Sequence, residues 1–286
     1  MNTTDNDSVN NSKAILDVFP EFYNDALKPA TQEIGELLKL IPESANAALY
    51  KIRLWIAKQK LIEDATLDLV TSKFKDIDPK KIVPPEPHIA IPAIQAMSYC
   101  MDNNELRELY SNLIASSMNS DKKDFVHPAF VEIIKQLSPL DAINLKLIFS
   151  KKSCPVVNYF VQSDDHIESV YYKKYVFLDN NKYFNDVDAC SVSITNLFRL
   201  SLIDIDFTRQ INDTLYDKFL SHPVFTELKT LCDKAKLTNE TLTANSCYIY
   251  ETVDGLPIAN LNVPSIEKGF IQLTPLGKSF TEICIN

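Results

Sequence analysis

Glycine is scarce: the 286 residues hold only four, Gly35, Gly255, Gly269 and Gly277. Isolated as they are, they build neither a GxGxxG turn nor a GK[ST] loop, the two devices that bring backbone amides up to a phosphate. The six cysteines (Cys100, Cys154, Cys190, Cys232, Cys247, Cys284) are scattered with no CxxC pair. That spacing excludes a zinc ribbon and fits reduced, buried thiols in a cytoplasm. The four histidines (His88, His127, His166, His222) make no HExxH pair, and no serine lies in a GxSxG elbow. No run reaches the roughly eighteen apolar residues of a membrane-spanning helix, and the opening MNTTDNDSVNNS has no secretory hydrophobic core. These absences point to a cytoplasmic protein with no cofactor and no metal site, and they weigh against an enzyme.

Basic charge is also in deficit. The net charge is −9 and the pI near 5.0, a balance that disfavours broad contact with nucleic acid or anionic lipid. One stretch departs from it. Lys28 to Lys60 holds six basic and three acidic residues, with Lys51, Arg53, Lys58 and Lys60 around Trp55, the single tryptophan. Residues 45–62 are therefore a candidate membrane-surface helix, exposed to lipid only if a trigger frees it from the fold. A packed helix with a solvated basic face is the plainer alternative.

What is present is mostly amphipathic helix. In NNELRELYSNLIASSM the residues Leu106, Leu109, Tyr110, Leu113, Ile114 and Met118 share one face. Phe130, Ile133, Ile134 and Leu137 repeat the stripe after Pro128, which suits a first helical turn. A third helix opens at Ser138-Pro139 with Asp141 in its first turn, where a carboxylate favours the helix N-terminus. Upstream, residues 43–77 read as one long helix. DPKKIVPPEPH, with four prolines, reads as an extended linker, and a helix over Ile91–Met101 follows it. Downstream the character turns to β. Pro155–Gln162 and Ile167–Leu178 make a candidate hairpin around Ser163-Asp164-Asp165. A helix over Asp186–Leu200, a strand over Leu202–Phe207, a helix over Pro223–Ala235, strands over Cys247–Thr252 and Gly269–Thr274, and a closing helix over Pro275–Ile285 complete the reading.

The expected fold class is α+β, mainly α. Residues 1–12 form a disordered tail, 13–77 N-terminal helices and 78–137 a central helical unit. Residues 138–286 form a winged-helix-like domain with hairpin and helical insertions, its two principal helices at 138–149 and 187–200. A nucleic-acid role for that domain meets an objection in charge. Asp186 to Asp206 carries Asp186, Asp188, Asp204 and Asp206 against Arg199 alone, and phosphate contacts need Lys or Arg.

Two chemical candidates remain. Asp164-Asp165-His166 could ligate a hard cation, but Asp is equally the residue of a hairpin turn. Glu227-Leu228-Lys229, with Asp204, Asp206 and Asp213 upstream, has the spacing of half a metal-nuclease motif, which requires a strand where a helix is expected. In the central helices Glu105, Arg107, Glu108, Asn112, His127 and Glu132 form the candidate interaction or polar-network set. Any of them that is buried needs hydrogen-bond partners.

Three segments, IVPPEPHIAIPAIQAMSY, ELRELYSNLIASSM and HPAFVEIIKQLSPLDA, resemble the abortive-infection alpha family of bacterial proteins. SVSITNLFRLSLIDI, LTPLGKSFTEICI and ALKPATQEIGELL extend the resemblance more weakly. It implies a setting in defence against phage and carries no chemistry. Ser201 departs from the pattern, standing where a glycine is expected in the RLSLI turn. The favoured function is a non-enzymatic anti-phage protein acting through protein contacts, with a phage component or another protein as partner and homo-oligomerisation as a further option. A winged-helix nucleic-acid binder and a metal-dependent nuclease are the alternatives.

Overall fold

A computed structural model of the chain describes residues 73, 81–100, 102–151, 153–163, 169–208, 212–244, 252–253, 256–257 and 261–285. Among these the fold is α+β and mainly helical, with eight α-helices and a four-stranded antiparallel sheet. The chain divides into two compact units, Met1–Pro139 with Ser279–Asn286, and Leu140–Lys278. The basic segment 45–62, and all of the long helix expected over 43–77 except the helical Lys73, lie outside the described residues. So does Asp164-Asp165-His166.

The first unit is built on α2 (Asn104–Ser117). The Asn103 side chain caps it, Oδ1 accepting from the Leu106 amide at 3.2 Å. All six residues of its expected stripe are buried. So is everything else from Leu109 to Asn119, because the opposite face carries Ser111, Asn112, Ala115, Ser116 and Ser117, small enough to admit neighbours closely. Helix α1 (Pro87–Tyr99) packs on α2 and on α3 (Ala129–Lys135). It starts at Pro87 rather than at the expected Ile91, since proline's fixed φ suits a first turn and its missing N–H is an orphan there anyway. Phe130 of α3 meets Phe280 edge-on at 5.3 Å. Of the proline-rich segment, Ile82–Glu86 is non-helical, while Lys81 lies in a 3-10 turn and Pro87-His88 open α1. It is also paired, Val83 N–H donating to Met118 O at 2.8 Å and Ser120 N–H to Lys81 O at 2.8 Å.

The second unit holds α4 (Pro139–Lys151, its first residue in the other unit), β1 (Ser153–Ser163), β2 (Ser169–Val176), α5 (Val187–Arg199), β3 (Ile203–Asp206), α6 (Asp217–Leu220), α7 (Pro223–Ala244), the two-residue pair β4 (Thr252–Val253) and β5 (Leu256–Pro257), and β6 (Leu261–Leu273). Helix α8 (Pro275–Cys284) closes the chain. The sheet order is β2-β1-β6-β3, all antiparallel. The expected hairpin is the β1–β2 pair. The last strand is longer than the expected Gly269–Thr274, because β6 pairs along the whole of β1 as well as with β3. Strand β2 carries two register shifts against β1, and Tyr175 takes a positive φ of 54° at the first. Buried Asn158 satisfies the displaced backbone, accepting from Tyr175 N–H at 2.8 Å and donating to Glu267 at 2.7 Å. One sheet face packs Val157, Tyr159, Val161 and Val176 against Tyr216, Phe219, Phe225 and Leu228. Tyr159 and Tyr216 donate their hydroxyls to Phe219 O and Gly269 O, each at 2.8 Å.

The junction after α5 explains the unusual Ser201. Its φ is +56°. Ser201 N–H donates to Phe198 O at 2.9 Å and Leu202 N–H to Leu197 O at 3.1 Å, the bond pair of a Schellman helix stop, which glycine fits best. Opposite it, Thr274 caps α8, Oγ1 accepting from Gly277 N–H at 2.9 Å and donating to Ser201 O at 2.5 Å. Thr274 N–H reaches Leu202 O at 3.1 Å. The two backbones approach so closely that a Cβ on Gly277 would lie 1.8 Å from Leu202 O.

Two substitutions test this junction in opposite directions. Ser201→Gly removes an αL penalty of about 1–2 kcal/mol against a smaller cost in unfolded-chain entropy, so urea unfolding will show a gain of about 0.5–1 kcal/mol. Gly277→Ala will cost more than about 3 kcal/mol or leave no soluble protein, since backbone cannot yield to the new methyl.

Candidate functional site

The six candidate residues of the central helices have separate places. Glu105 is half-buried in the first turn of α2, favourable to the helix dipole. Arg107 Nη2 donates to Asn104 Oδ1 at 2.5 Å, and Glu108 lies 3.7 Å from Lys73 Nζ. His127 is exposed, its Nδ1 accepting from Ala129 N–H at 3.1 Å. Glu132 is exposed and pairs with Lys135 at 2.7 Å. Only Asn112 is buried. Its Nδ2 donates to Cys284 O at 2.8 Å, and one turn on, Ser116 Oγ donates to Ile283 O at 3.0 Å. A helix leaves its last carbonyls without internal partners, and these two side chains supply them to α8. Asn112 and Ser116 are four apart and so share a face, which is the signal that would have added Ser116 to the set. Beside them the Tyr110 hydroxyl is buried with no hydrogen-bond partner among the described residues. Burial pushes its ionisation well above the ordinary tyrosine value, and Cys100, Glu132 and Cys284 push the same way.

In the second unit a buried seam joins α4 to α5. Asn144 Nδ2 donates to Ser193 Oγ at 2.9 Å, and its Oδ1 accepts from Asn180 at 2.8 Å. Asp141, also buried, accepts from Asn196 Nδ2 at 2.9 Å. Asn196 Oδ1 in turn accepts from Arg199 Nε and Nη2 at 3.1 and 2.8 Å. The second charged cluster is Asp179, whose side chain is only 5% exposed. Lys151, at 2.9 Å, and Lys218 both reach it. Burial raises its carboxyl, but hydrogen bonds from Lys218 and Lys151 outweigh that and hold it below the ordinary aspartate value. Asp179 raises Lys151 in turn, through its hydrogen bond first, with burial opposing. Nearby Cys154 is pushed up to about 12 by burial first and by the Asp179 charge second, so it stays a thiol.

Glu227-Leu228-Lys229 lies on α7. Leu228 is buried and its neighbours are exposed, so helical rotation of about 100° per residue turns Glu227 and Lys229 apart. Asp213 is bound by Lys268 at 2.8 Å, and Asp206 caps Thr208. Among the described residues no three His, Cys, Asp or Glu side chains are gathered as a metal site, and no helix is long and apolar enough to cross a membrane.

Asn112→Ala will cost about 1–3 kcal/mol in chemical denaturation, because it leaves the buried Cys284 carbonyl without its donor. For Asp179 the prediction is a pH profile. A depressed carboxyl stabilises fully above the unfolded value of about 4 and loses that stabilisation as pH falls through its lower folded value. The raised Lys151 contributes below about pH 10 and loses its contribution above. Asp179→Asn will therefore be less stable than wild type between these limits, and the gap will close in acid.

The segments of the family resemblance meet in pairs: ELRELYSNLIASSM contacts the end of LTPLGKSFTEICI through Asn112 and Ser116, and RLSLI meets its start through Thr274. A search of solved structures finds an uncharacterized protein of the hydrocarbon-degrading marine bacterium Alcanivorax borkumensis SK2, 11% identical, covering 58% of this chain and 96% of that one with a TM-score of 0.30. No curated protein matches. The sequence profile named "Abortive infection alpha" matches residues 57–284, most of the chain, and the protein belongs to that family.

Proposed function

We propose that this protein serves bacterial defence against phage and acts through protein–protein contacts in the cytoplasm rather than through catalysis. The observation that carries the setting is the family match over residues 57–284. The contact mechanism draws support from apolar side chains held in solvent on ordered elements: Tyr99 and Phe125 in the first unit, Val192 and Phe198 on α5 in the second. Single exposed apolar groups are ordinary on a protein surface, so the weight rests on Val192 and Phe198, which share α5. Among the polar residues of the family-matching blocks, Asn112, Ser116 and Thr274 are by contrast taken up in packing and capping.

A winged-helix-like arrangement of the second unit is the accompanying structural reading. What supports it is the order α4, α5, β3, β6, with α5 stopping at Ser201 and β3 running antiparallel to β6. A nucleic-acid role for α5 has the charge balance against it, since Asp188 stands on the same exposed face as Arg199, the helix's single cation.

Expression in a bacterial host challenged with a broad phage panel tests the setting. Plaque counts on the expressing strain will fall for some phages, with infected cells dying before release of progeny. Unchanged plaquing and survival across the panel would overturn the reading.

A further inference from the structure

The outward face of α5 is a short, self-complementary stripe. Asp188, Val192, Thr195 and Arg199 stand at spacings of four, three and four, which places them within an arc of about 60° on the helix surface. All four are exposed. Val192 is 70% exposed, and the Asp188 side chain 69%. Read from either end, the stripe presents a charge, two short central side chains, and the opposite charge. Asp188 and Arg199 lie about 16 Å apart along the axis, with Val192 and Thr195 between them.

We propose that α5 is the seam of a two-fold symmetric contact between two copies of this chain, the helices antiparallel. A two-fold axis between Val192 and Thr195 sets Asp188 of each copy against Arg199 of the other and covers both valines. An isologous interface demands such self-complementarity, and neither charge alone would supply it. Both ends are held in place before contact. Lys173 Nζ grips the Asp188 carboxylate at 2.6 and 2.7 Å, which leaves lone pairs for a guanidinium. Arg199 is oriented by Asn196, itself tied to buried Asp141. The Thr195 hydroxyl already donates its proton to Ser191 O at 2.8 Å, so covering it strands no donor. Phe198, 44% exposed, lies outside the arc, about 60° beyond Thr195 on the side away from Val192. Pre-ordered side chains lower the entropy lost on association. One helix seam is a small interface, so the dimer is weak and concentration-dependent. The proposal goes beyond the defence reading and its test needs no phage.

Sedimentation velocity of the full chain from about 1 to about 300 µM will show a reversible monomer–dimer equilibrium. Asp188→Arg and Arg199→Asp alone place like charges together at both ends and will each weaken association at least about tenfold. An equimolar mixture of these two variants will dimerise, because every facing pair is then attractive, and the Asp188→Arg/Arg199→Asp double variant will dimerise by itself. Val192→Glu will be monomeric with an unchanged melting temperature. A wild type that stays monomeric throughout would overturn the proposal, as would a mixture that fails to associate, or a Val192→Glu dimer as strong as wild type.

Discussion

A buried backbone carbonyl must have a donor, and the first unit is arranged around meeting that demand at the end of the chain. The last turn of α8 is buried against α2, where water cannot serve its orphan carbonyls. Asn112 and Ser116 serve them instead, from positions 172 and 167 residues earlier. This requirement accounts for the odd composition of α2, apolar on one face and small-polar on the other, yet buried on both. A leucine at either position would fill the space and leave an acceptor stranded, at a cost larger than the packing gained.

The second unit solves a related problem at the stop of α5. Its backbone turns through a left-handed residue, so the Ser201 and Leu202 carbonyls face the incoming start of α8. One side chain, Thr274, both caps the new helix and donates to the old turn. Such closeness tolerates no side chain at Gly277. A chain with four glycines has kept one where two backbones meet. Ser201 in turn carries strain at a position glycine would occupy freely, offset by the two helix-stop bonds and by Thr274.

These junctions bear on function by subtraction. The residues that define the family resemblance are in good part those that close each unit, which is why the resemblance identifies the fold's maintenance more readily than its partner. The outward face of α5 belongs to the opposite class. Its buried side is locked through Asn144, Ser193, Asn196 and Asp141, while Val192 on the other side is 70% exposed. A rigid helix with a fixed solvent face is a suitable platform for recognition, since little order remains to be imposed when a partner arrives.

Periodicity by itself determined the helices around α2 and α3, the β1–β2 hairpin, α5 and α8, because amphipathic spacing and cap residues are local properties that tertiary contacts here reinforce. It also placed Glu227 and Lys229 on a helix, where they diverge. Tertiary structure alone decided which polar residues are interior. Asn112 and His127 look equally eligible in the sequence, yet one is buried and bonded while the other lies in solvent, since burial depends on what the rest of the chain brings to that face. The extent of β6 was hidden for the same reason: a strand between two partners is specified by both neighbours, and its residues before Gly269 show their order only when β1 lies alongside. Asp179 stayed invisible because a single aspartate in a loop acquires meaning only when Lys151 and Lys218, from two other elements, converge on it.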